Sequence, residues 1–277
     1  MPCNRPLASA TGPALALWLV LGMGMGPDVA RSQDAPAAEA TAKLAPRRAR
    51  TAPGGPAAYM GREIAPVMTF HGADWLVRDT REAEEQPERM LDALKIRPGM
   101  TVADVGAGVG YTSVKMSRRV GPTGTVLASD VQPEMLRLLA DNTRELGIKN
   151  VRPVRATPTD PRLPEGAVDL ILMVDVYHEC SDPEATLRGL RRALKPNGRL
   201  VLVEFRAEDP EVPIKPEHKM SVAQARRELE ANAFVFKESL EFLPWQHILI
   251  FEKKPDPPGD REKPATAPKP TTAPTPG

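Results

Sequence analysis

The sequence contains few cysteines and few aromatic residues. Only Cys3 and Cys180 are cysteines among 277 residues, and Phe, Trp and Tyr together make up 4% of the chain. Two cysteines exclude a disulfide framework and a zinc site built from cysteine thiolates. An excess of charge is also missing, because the formal net charge is +1. A protein that binds nucleic acid mainly by electrostatic attraction has a basic excess, so we predict no nucleic-acid partner.

The scarce aromatic residues indicate where the chain can form a core. Apart from Trp18, all of them lie between Tyr59 and Phe251, which predicts one globular domain at 59–253. The flanking regions are rich in Pro, Ala, Thr and Arg and cannot bury enough apolar surface to offset the entropy of ordering. We therefore predict a flexible linker at 33–58 and a Pro-rich disordered tail at 254–277.

Long apolar runs are absent as well. The most apolar stretch near the N-terminus, 14–26, has about 13 residues, whereas a helix needs about 20 to span a bilayer. Arg5 precedes this run, and Ala30-Arg31-Ser32 places small residues at the spacing that signal peptidase reads, with Gln33 as the mature start. This predicts a signal peptide at 1–32, export to the periplasm and no stable membrane insertion after cleavage. If 1–32 is not a functional signal, the alternative is a cytoplasmic protein.

Between 83 and 253 the apolar pattern alternates between strand-like runs and helical spacing. The last two runs, Phe234–Phe242 and Gln246–Glu252, are separated by three residues, too few for a helical crossover, so they must pair antiparallel. The pattern predicts an α/β fold with a doubly wound, mainly parallel, seven-stranded sheet and an antiparallel terminal strand. The preceding strands are predicted at Thr101–Val105, Thr125–Ser129, Val151–Ala156, Ala167–Val174 and Arg199–Phe205.

A glycine-rich loop follows the first of these strands. Gly106, Gly108 and Gly110 occupy alternate positions before a helix, where they let a ligand approach the backbone and the helix N-terminus. The dinucleotide fingerprint G-x-G-x-x-G requires glycine where Tyr111 stands, so this spacing disfavours NAD. Asp130 closes the second strand, where a carboxylate accepts hydrogen bonds from both hydroxyls of a ribose. Asp130 alone is compatible with NAD or S-adenosylmethionine.

These residues resemble the class I S-adenosylmethionine-dependent methyltransferases over 84–253. The stretch 102–111 matches the family's cofactor loop, 126–130 its acidic strand end and 163–170 the approach to its fourth strand. The stretch 60–87 is similar to a group of predicted bacterial methyltransferases that often carry export signals. The resemblance implies a Rossmann-like methyltransferase fold, an enzyme that uses S-adenosylmethionine, and a small-molecule acceptor methylated at O, N or C.

The resemblance also implies which residues bind the cofactor. The glycine loop would contact the methionine part, and Asp104 would orient that loop or meet the ammonium group. Asp130 would bind the ribose and Val131 would pack near the adenine. The stretch 156–160 departs from the family's usual Gly-Asp pattern, so Thr157 and Asp160 are both candidates for the adenine amino group. The full set is Asp104, Gly106, Ala107, Gly108, Gly110, Asp130, Val131, Thr157, Asp160 and Asp175.

The acceptor side is predicted to follow the fourth strand, where ligand-facing residues of open parallel sheets collect. Methyl transfer from a sulfonium depends on alignment and exclusion of water, and it needs a base only if the acceptor must lose a proton. His178 is the candidate base, with Tyr177 and Glu179 as acceptor-positioning groups. Alternatively, His178 is a packing or supporting residue.

The remaining histidines and cysteines show no familiar ligand spacing. His71, His178, Cys180 and His218 are the conceivable ligands, but no pair among them has such spacing, so we expect no metal site.

Two further alternatives for the function stay open: an NAD(P)-linked oxidoreductase, and an exported adenosine-ligand binding protein without turnover. The latter arises because S-adenosylmethionine is made in the cytoplasm while 1–32 predict export. The acceptor and the oligomeric state are not predicted.

Overall fold

The computed structural model describes residues 50–51 and 57–255. The predicted signal peptide, most of the predicted linker and nearly all of the predicted tail lie outside the described residues. Within the described residues, no helix has the length and apolarity needed to cross a membrane.

The elements alternate between strand and helix, as the apolar pattern predicts. The strands are β1 (Arg50–Thr51), β2 (Ala57–Tyr59), β3 (Arg62–Glu63), β4 (Thr101–Val105), β5 (Thr125–Asp130), β6 (Val151–Arg155), β7 (Val168–Val174), β8 (Leu194–Arg206), β9 (Lys219–Met220), β10 (Phe234–Leu240) and β11 (Gln246–Lys253). The α-helices are α1 (Arg81–Glu85), α2 (Pro87–Ala93), α3 (Tyr111–Val120), α4 (Pro133–Glu145), α5 (Pro183–Ala193) and α6 (Val222–Ala231). Short 3-10 turns cover Phe70–Val77, Tyr177–Glu179 and Pro216–His218.

The main sheet has the order β10-β11-β8-β7-β4-β5-β6. Strands β4 to β8 pair parallel, whereas β11 pairs antiparallel with both β8 and β10. The predicted doubly wound, mainly parallel sheet with its antiparallel closing hairpin is therefore confirmed. An eighth strand, β9, adds two residues beside β8 and was not predicted.

Helices cover both faces of this sheet, and the central strand β7 shows why. Leu170 and Leu172 pack on the face covered by α2 and α3, while Ile171 and Met173 pack on the face covered by α5 and α6. All four side chains are fully buried, as a continuously apolar strand between two helical layers requires. The helices thus leave the carboxyl ends of the parallel strands as the place for a ligand crevice.

Polar caps fix the starts of the later helices. The Asp182 carboxylate accepts a hydrogen bond from the Ala185 N–H (3.0 Å) at the start of α5, and the Ser221 hydroxyl accepts one from the Gln224 N–H (3.1 Å) at the start of α6. The Gln224 side chain does not complete a capping box. It donates instead to the Met60 carbonyl and to Glu228, and so ties the N-terminal strands to α6.

Three local predictions differ from the structure. The sequence Glu84-Glu85-Gln86-Pro87, with acids and a proline at an early position, predicts the start of one helix. The structure instead has two helices, α1 and α2, divided at Gln86, whose φ is +48°. Strand β8 begins at Leu194 instead of Arg199, because Leu194 is fully buried and pairs with Val168. Strand β2 lies partly within the range predicted as linker, because it pairs with β3 and buries Tyr59.

Candidate active site

A cavity of about 690 Å³ lies at the carboxyl ends of the parallel strands. Its size is within the range of about 300–1,000 Å³ that is typical of small-molecule sites. The glycine loop and the end of β5 border one side, and the turns after β7 and β8 border the other. Residues 66–85 from the N-terminal part of the domain complete the walls.

The glycine loop adopts a conformation that glycine alone accommodates easily. Gly106 and Gly108 have φ of +74° and +53°, and both border the cavity. A Cβ atom on Gly106 would lie 2.4 Å from a methyl group of Val176, and one on Gly108 would lie 2.7 Å from Leu76. The loop therefore brings its backbone to the cavity surface. The other predicted loop residues, Ala107 and Gly110, do not border the cavity.

Asp104 supports the loop from behind. Its carboxylate is buried and accepts a hydrogen bond from the Ser113 hydroxyl at 2.6 Å. Burial raises the pKa of Asp104 to about 6, and the bond from Ser113 opposes that rise. Asp104 does not border the cavity. Of its two predicted roles, the geometry favours orienting the loop over meeting a cofactor ammonium group.

Asp130 joins the loop to the end of β5. Its two carboxylate oxygens accept hydrogen bonds from the N–H groups of Gly108 (2.9 Å) and Gln132 (2.8 Å). Burial raises the pKa of Asp130, and these backbone donors oppose the rise. A carboxylate has about four acceptor positions, so Asp130 retains acceptor capacity toward the cavity that it borders.

The two candidates for the adenine amino group are placed differently. Thr157 borders the cavity together with Val131, whereas Asp160 does not. One oxygen of Asp160 instead accepts a hydrogen bond from the Arg162 N–H at 2.8 Å, within a turn. The geometry favours Thr157 and gives Asp160 a role in shaping that turn.

Asp175 contributes a second buried carboxylate at the end of β7. One oxygen accepts a hydrogen bond from the Gln246 amide at 2.7 Å, and the other has no hydrogen-bond partner among the described residues. Burial raises the pKa of Asp175 well above its usual range, and the nearby carboxylates of Glu85 and Glu204 add to the rise. Because buried polar atoms are normally hydrogen-bonded, we expect this oxygen of Asp175 to accept a hydrogen bond from a ligand in the cavity.

Helix α1 and the residues just before it add charged side chains that sequence reasoning missed. Arg78, which precedes α1, and Arg81 and Glu85 within it border the cavity, and both guanidinium groups pair with Glu85, at 2.7 Å and 2.8 Å. Guanidinium groups bind carboxylates well. The sequence gives no sign of this role, because only the packing of α1 beside the glycine loop brings these residues to the cavity.

His178 is held by a buried carboxylate on the other side of the cavity. Its Nδ1 lies 2.5 Å from Oε2 of Glu204, and both residues are almost completely buried. The second oxygen of Glu204 accepts a hydrogen bond from the Tyr177 N–H at 2.9 Å. We assign the proton to Nδ1 of His178, because the carboxylate accepts it there. In the neutral ring Nε2 then carries the lone pair, and it faces Nδ1 of His218 at 3.1 Å.

Glu179 lies beside this histidine pair. One of its oxygens accepts a hydrogen bond from the Met68 N–H at 3.2 Å. Burial raises the pKa of Glu179 to about 7, and the positive charge of a protonated His178 opposes this rise. His178, Glu179 and His218 all border the cavity. Sequence spacing did not bring them together as one group, because His218 is 40 positions away from His178.

Tyr177 is not placed to position an acceptor. Its side chain is fully buried and does not border the cavity. The hydroxyl group donates to Glu228 at 2.8 Å, and Arg62 donates to both oxygens of the same carboxylate. The geometry favours a supporting role over the predicted one, because Glu228, itself fully buried, requires these donors inside the protein.

The other two conceivable metal ligands are not part of this group: His71 does not border the cavity, whereas Cys180 does. His71 is exposed and its ring contacts Phe70. The Cys180 thiol lies 3.9 Å from the Val176 carbonyl, and burial raises the pKa of Cys180 to about 12. A thiol that stays protonated is a poor ligand and a poor nucleophile.

A strap formed by residues 66–77 connects the two sides of the cavity. In this strap the Phe70 N–H donates to the Gln132 side chain at 2.9 Å, and that side chain donates to the Met68 carbonyl at 2.9 Å. Gln132 follows Asp130, whereas Met68 also holds Glu179. The strap is therefore hydrogen-bonded to both sides.

Comparison with known proteins gives the family. Residues 96–248, more than half of the chain, match the family described as a methyltransferase domain. The chain belongs to this family. Its resemblance to class I S-adenosylmethionine-dependent methyltransferases is confirmed, as are the enzyme class and the cofactor.

Relatives and solved structures agree with this assignment. The chain is 35% identical over 116 residues to the ubiquinone/menaquinone biosynthesis C-methyltransferase of Enterobacter sp. (strain 638). The matched region covers 42% of this chain and 46% of the relative. The corresponding enzyme of Vibrio vulnificus (strain YJ016) is 36% identical, with 42% and 45% covered. The chain thus spans less than half the length of the curated relatives it matches. A methyltransferase from Aquifex aeolicus, described as dependent on S-adenosylmethionine, superposes with a TM-score of 0.64 at 29% identity, covering 67% of this chain and 98% of that one.

The residues at the cavity fit S-adenosylmethionine. The backbone of Gly106 and Gly108 borders the cavity. The acceptor capacity of Asp130, the unpartnered oxygen of Asp175 and the guanidinium groups of Arg78 and Arg81 match a ligand with ribose hydroxyls, an ammonium group and a carboxylate. The family assignment also removes the support for the NAD(P)-linked alternative.

Proposed function

We propose that this chain transfers a methyl group from S-adenosylmethionine to a small-molecule acceptor bound in the cavity. The observation that carries the proposal is the division of one cavity into two chemically different sides. Backbone and carboxylate groups around Gly106 and Asp130 form one side, and His178, Glu179 and His218 form the other. When bound, S-adenosylmethionine supplies the electrophilic methyl group.

On the cofactor side, each group would meet the part of the ligand that it can bind. Asp130 would accept hydrogen bonds from the ribose hydroxyls, and Asp175 would accept one from the ammonium group. Arg78 and Arg81 would donate to the methionine carboxylate, and the backbone at Gly106 and Gly108 would contact the methionine chain. Val131 and Thr157 would lie near the adenine.

On the acceptor side, the walls supply apolar surface beside the ionisable group. Val67, Trp75, Phe205 and Ile214 border the cavity. This supports an acceptor with an apolar body and one O, N or C atom to be methylated. The curated relatives named for ubiquinone and menaquinone biosynthesis methylate carbon, which adds support for an acceptor of this kind.

The predicted base, His178, reaches the acceptor only indirectly in this proposal. Its Nε2 is directed at His218 at 3.1 Å, so His178 would act on the acceptor through His218 or through a group bound between the two rings. Its main contribution would be to hold the acceptor side of the cavity in place, with Glu204 fixing its ring.

Calorimetry on the purified full-length chain tests the proposal. We expect saturable binding of S-adenosylmethionine and of its demethylated product, and no saturable binding of NAD. Binding of NAD without binding of the other two would overturn the proposal. Release of the demethylated product on addition of candidate phenols and quinols would then define the acceptor.

Export of the chain is a separate part of the proposal and rests on the sequence of 1–33 alone. N-terminal sequencing of protein recovered from the periplasm of an expressing bacterium tests it. A mature start at Gln33 is the expected result, and an intact N-terminus in the cytoplasm would contradict it.

A further inference from the structure

We propose that His178, Glu179 and His218 form a binding site for a divalent transition-metal ion in the acceptor-side wall of the cavity. One nitrogen of each histidine and one oxygen of Glu179 lie within 4.8 Å of one another. Two histidines and one carboxylate are a ligand set that Zn²⁺ and Fe²⁺ accept.

The spacing of the two ring nitrogens suits an ion. Tetrahedral zinc with Zn–N bonds of about 2.0–2.1 Å separates its ligand nitrogens by about 3.3 Å. Nε2 of His178 and Nδ1 of His218 are 3.1 Å apart. A small movement of the His218 ring, on the turn Pro216–His218, would make room for the ion between them.

The surroundings of His178 match those of a metal-binding histidine. Such a histidine commonly donates its other ring N–H to a carboxylate, which fixes the ring and leaves the ligating nitrogen unprotonated. Glu204 supplies this contact at 2.5 Å and is itself held by the Tyr177 N–H. A histidine that merely fills the core would not need a fully buried carboxylate directed at it.

Glu179 is oriented by a different segment. Its carboxylate accepts a hydrogen bond from the Met68 N–H through one oxygen, and a carboxylate has further acceptor positions for an ion. Three protein ligands leave a fourth position open, which is the arrangement of catalytic zinc sites. Because all three residues border the cavity, the open position would face the acceptor.

A metal here would coordinate an oxygen or nitrogen atom of the acceptor and favour its deprotonated form. This consequence rests on the proposed methyl transfer, whereas the metal site itself does not. His178 would then hold the ion instead of taking the acceptor's proton directly.

Titration of the full-length, tag-free chain with metal tests the inference. After treatment with chelator, we expect one equivalent of Zn²⁺ to bind saturably by calorimetry, and Co²⁺ to give the intense visible absorption of a four-coordinate complex. His218→Ala and Glu179→Gln should each weaken Zn²⁺ binding by more than about 100-fold, and Glu204→Gln by about 10- to 100-fold. The matched control is His71→Ala, because His71 is exposed and outside the cluster; it should bind Zn²⁺ as wild type does.

The results distinguish this inference from the proposed function. A folded wild-type chain that binds no Zn²⁺ saturably would overturn it, as would unchanged Zn²⁺ affinity in both His218→Ala and Glu179→Gln; the histidine pair would then be a hydrogen-bonded support. Binding of S-adenosylmethionine to the metal-free chain is measured separately. A chain that binds Zn²⁺ but not S-adenosylmethionine would refute the proposed function and leave the metal site intact.

Discussion

The two sides of the cavity are built in different ways. On the cofactor side, hydrogen bonds from backbone N–H groups to Asp130 join the glycine loop to the end of β5, and Asp175, Arg78 and Arg81 add side chains from other segments. The acceptor side joins residues from four separate segments through buried charges: Arg62, the turn after β7, Glu204 in β8 and Glu228 in α6. Substitutions on the cofactor side should therefore act mainly on ligand affinity, whereas those on the acceptor side should act mainly on stability.

Removal of Arg62 should give the largest effect and tests the acceptor side of the comparison. Its guanidinium pairs with the fully buried Glu228 and donates to the His178 carbonyl at 3.0 Å. Arg62→Met leaves that carboxylate without its cation, which costs about 3–5 kcal/mol in the free energy of unfolding. Urea denaturation measures this.

Arg137→Met is the control for Arg62→Met, because Arg137 pairs with Glu134 on the surface. Loss of such a pair should cost less than about 1 kcal/mol. Equal effects of the two substitutions would show that the buried network does not stabilise the acceptor side.

Asp104 should make stability depend on pH. Its folded pKa of about 6 lies above the ordinary 3.8, so the folded state binds this proton more tightly than the unfolded state does. The resulting stabilisation is complete below pH 3.8 and is lost as pH rises through 6, a change of up to about 3 kcal/mol. Arg81 and Asp130 act on this pKa in opposite directions.

Urea denaturation at pH 4 and pH 7 measures the effect. Relative to wild type, Asp104→Asn should gain stability as pH rises. Asp141→Asn, on the exposed surface of α4, should follow wild type. An Asp104→Asn variant that also follows wild type would show that Asp104 does not titrate in this range.

Gly106→Ala should weaken S-adenosylmethionine binding by about 100-fold, equivalent to about 2.7 kcal/mol. The left-handed backbone costs an alanine about 1–2 kcal/mol, and its Cβ would lie 2.4 Å from Val176, which displaces the loop. Gly147→Ala is the matched control, because Gly147 also has positive φ but nothing lies within 4 Å of its Cβ position. If calorimetry gave equal affinities for S-adenosylmethionine in the two variants, the conformation of the loop would not control cofactor binding.

Asp130→Asn should give the smallest of these effects, about tenfold weaker binding of S-adenosylmethionine. The amide keeps the shape of the side chain but loses the charge that strengthens its hydrogen bonds, and it replaces one of the two oxygens that accept from Gly108 and Gln132 by an NH2 donor. The free energy of unfolding should change less than in Arg62→Met. A stability loss as large as that of Arg62→Met, with unchanged cofactor affinity, would reverse the comparison between the two sides.

The difference between the two sides of the cavity also explains which features the sequence could predict. The sheet, its closing hairpin and the glycine loop follow from apolar periodicity and from residues close together in the chain. Glu204 and Glu228 read as ordinary polar positions in a strand and a helix, because nothing near them in sequence shows that His178 and Arg62 will meet them. Tyr177 is a related case: the sequence predicts its place after β7, and hence beside the acceptor, but it does not predict the direction of its hydroxyl group.

The strap at 66–77 makes the two ligands interdependent. Its backbone is bound to Gln132 next to the ribose carboxylate and, through Met68, to Glu179 on the opposite side. If the cofactor orders this strap, part of the entropic cost of binding the acceptor is already met. By thermodynamic linkage, the bound acceptor then raises the affinity for the cofactor by the same factor. Each ligand should therefore raise the affinity of the enzyme for the other, and the demethylated product should leave more slowly while the methylated acceptor is still in place.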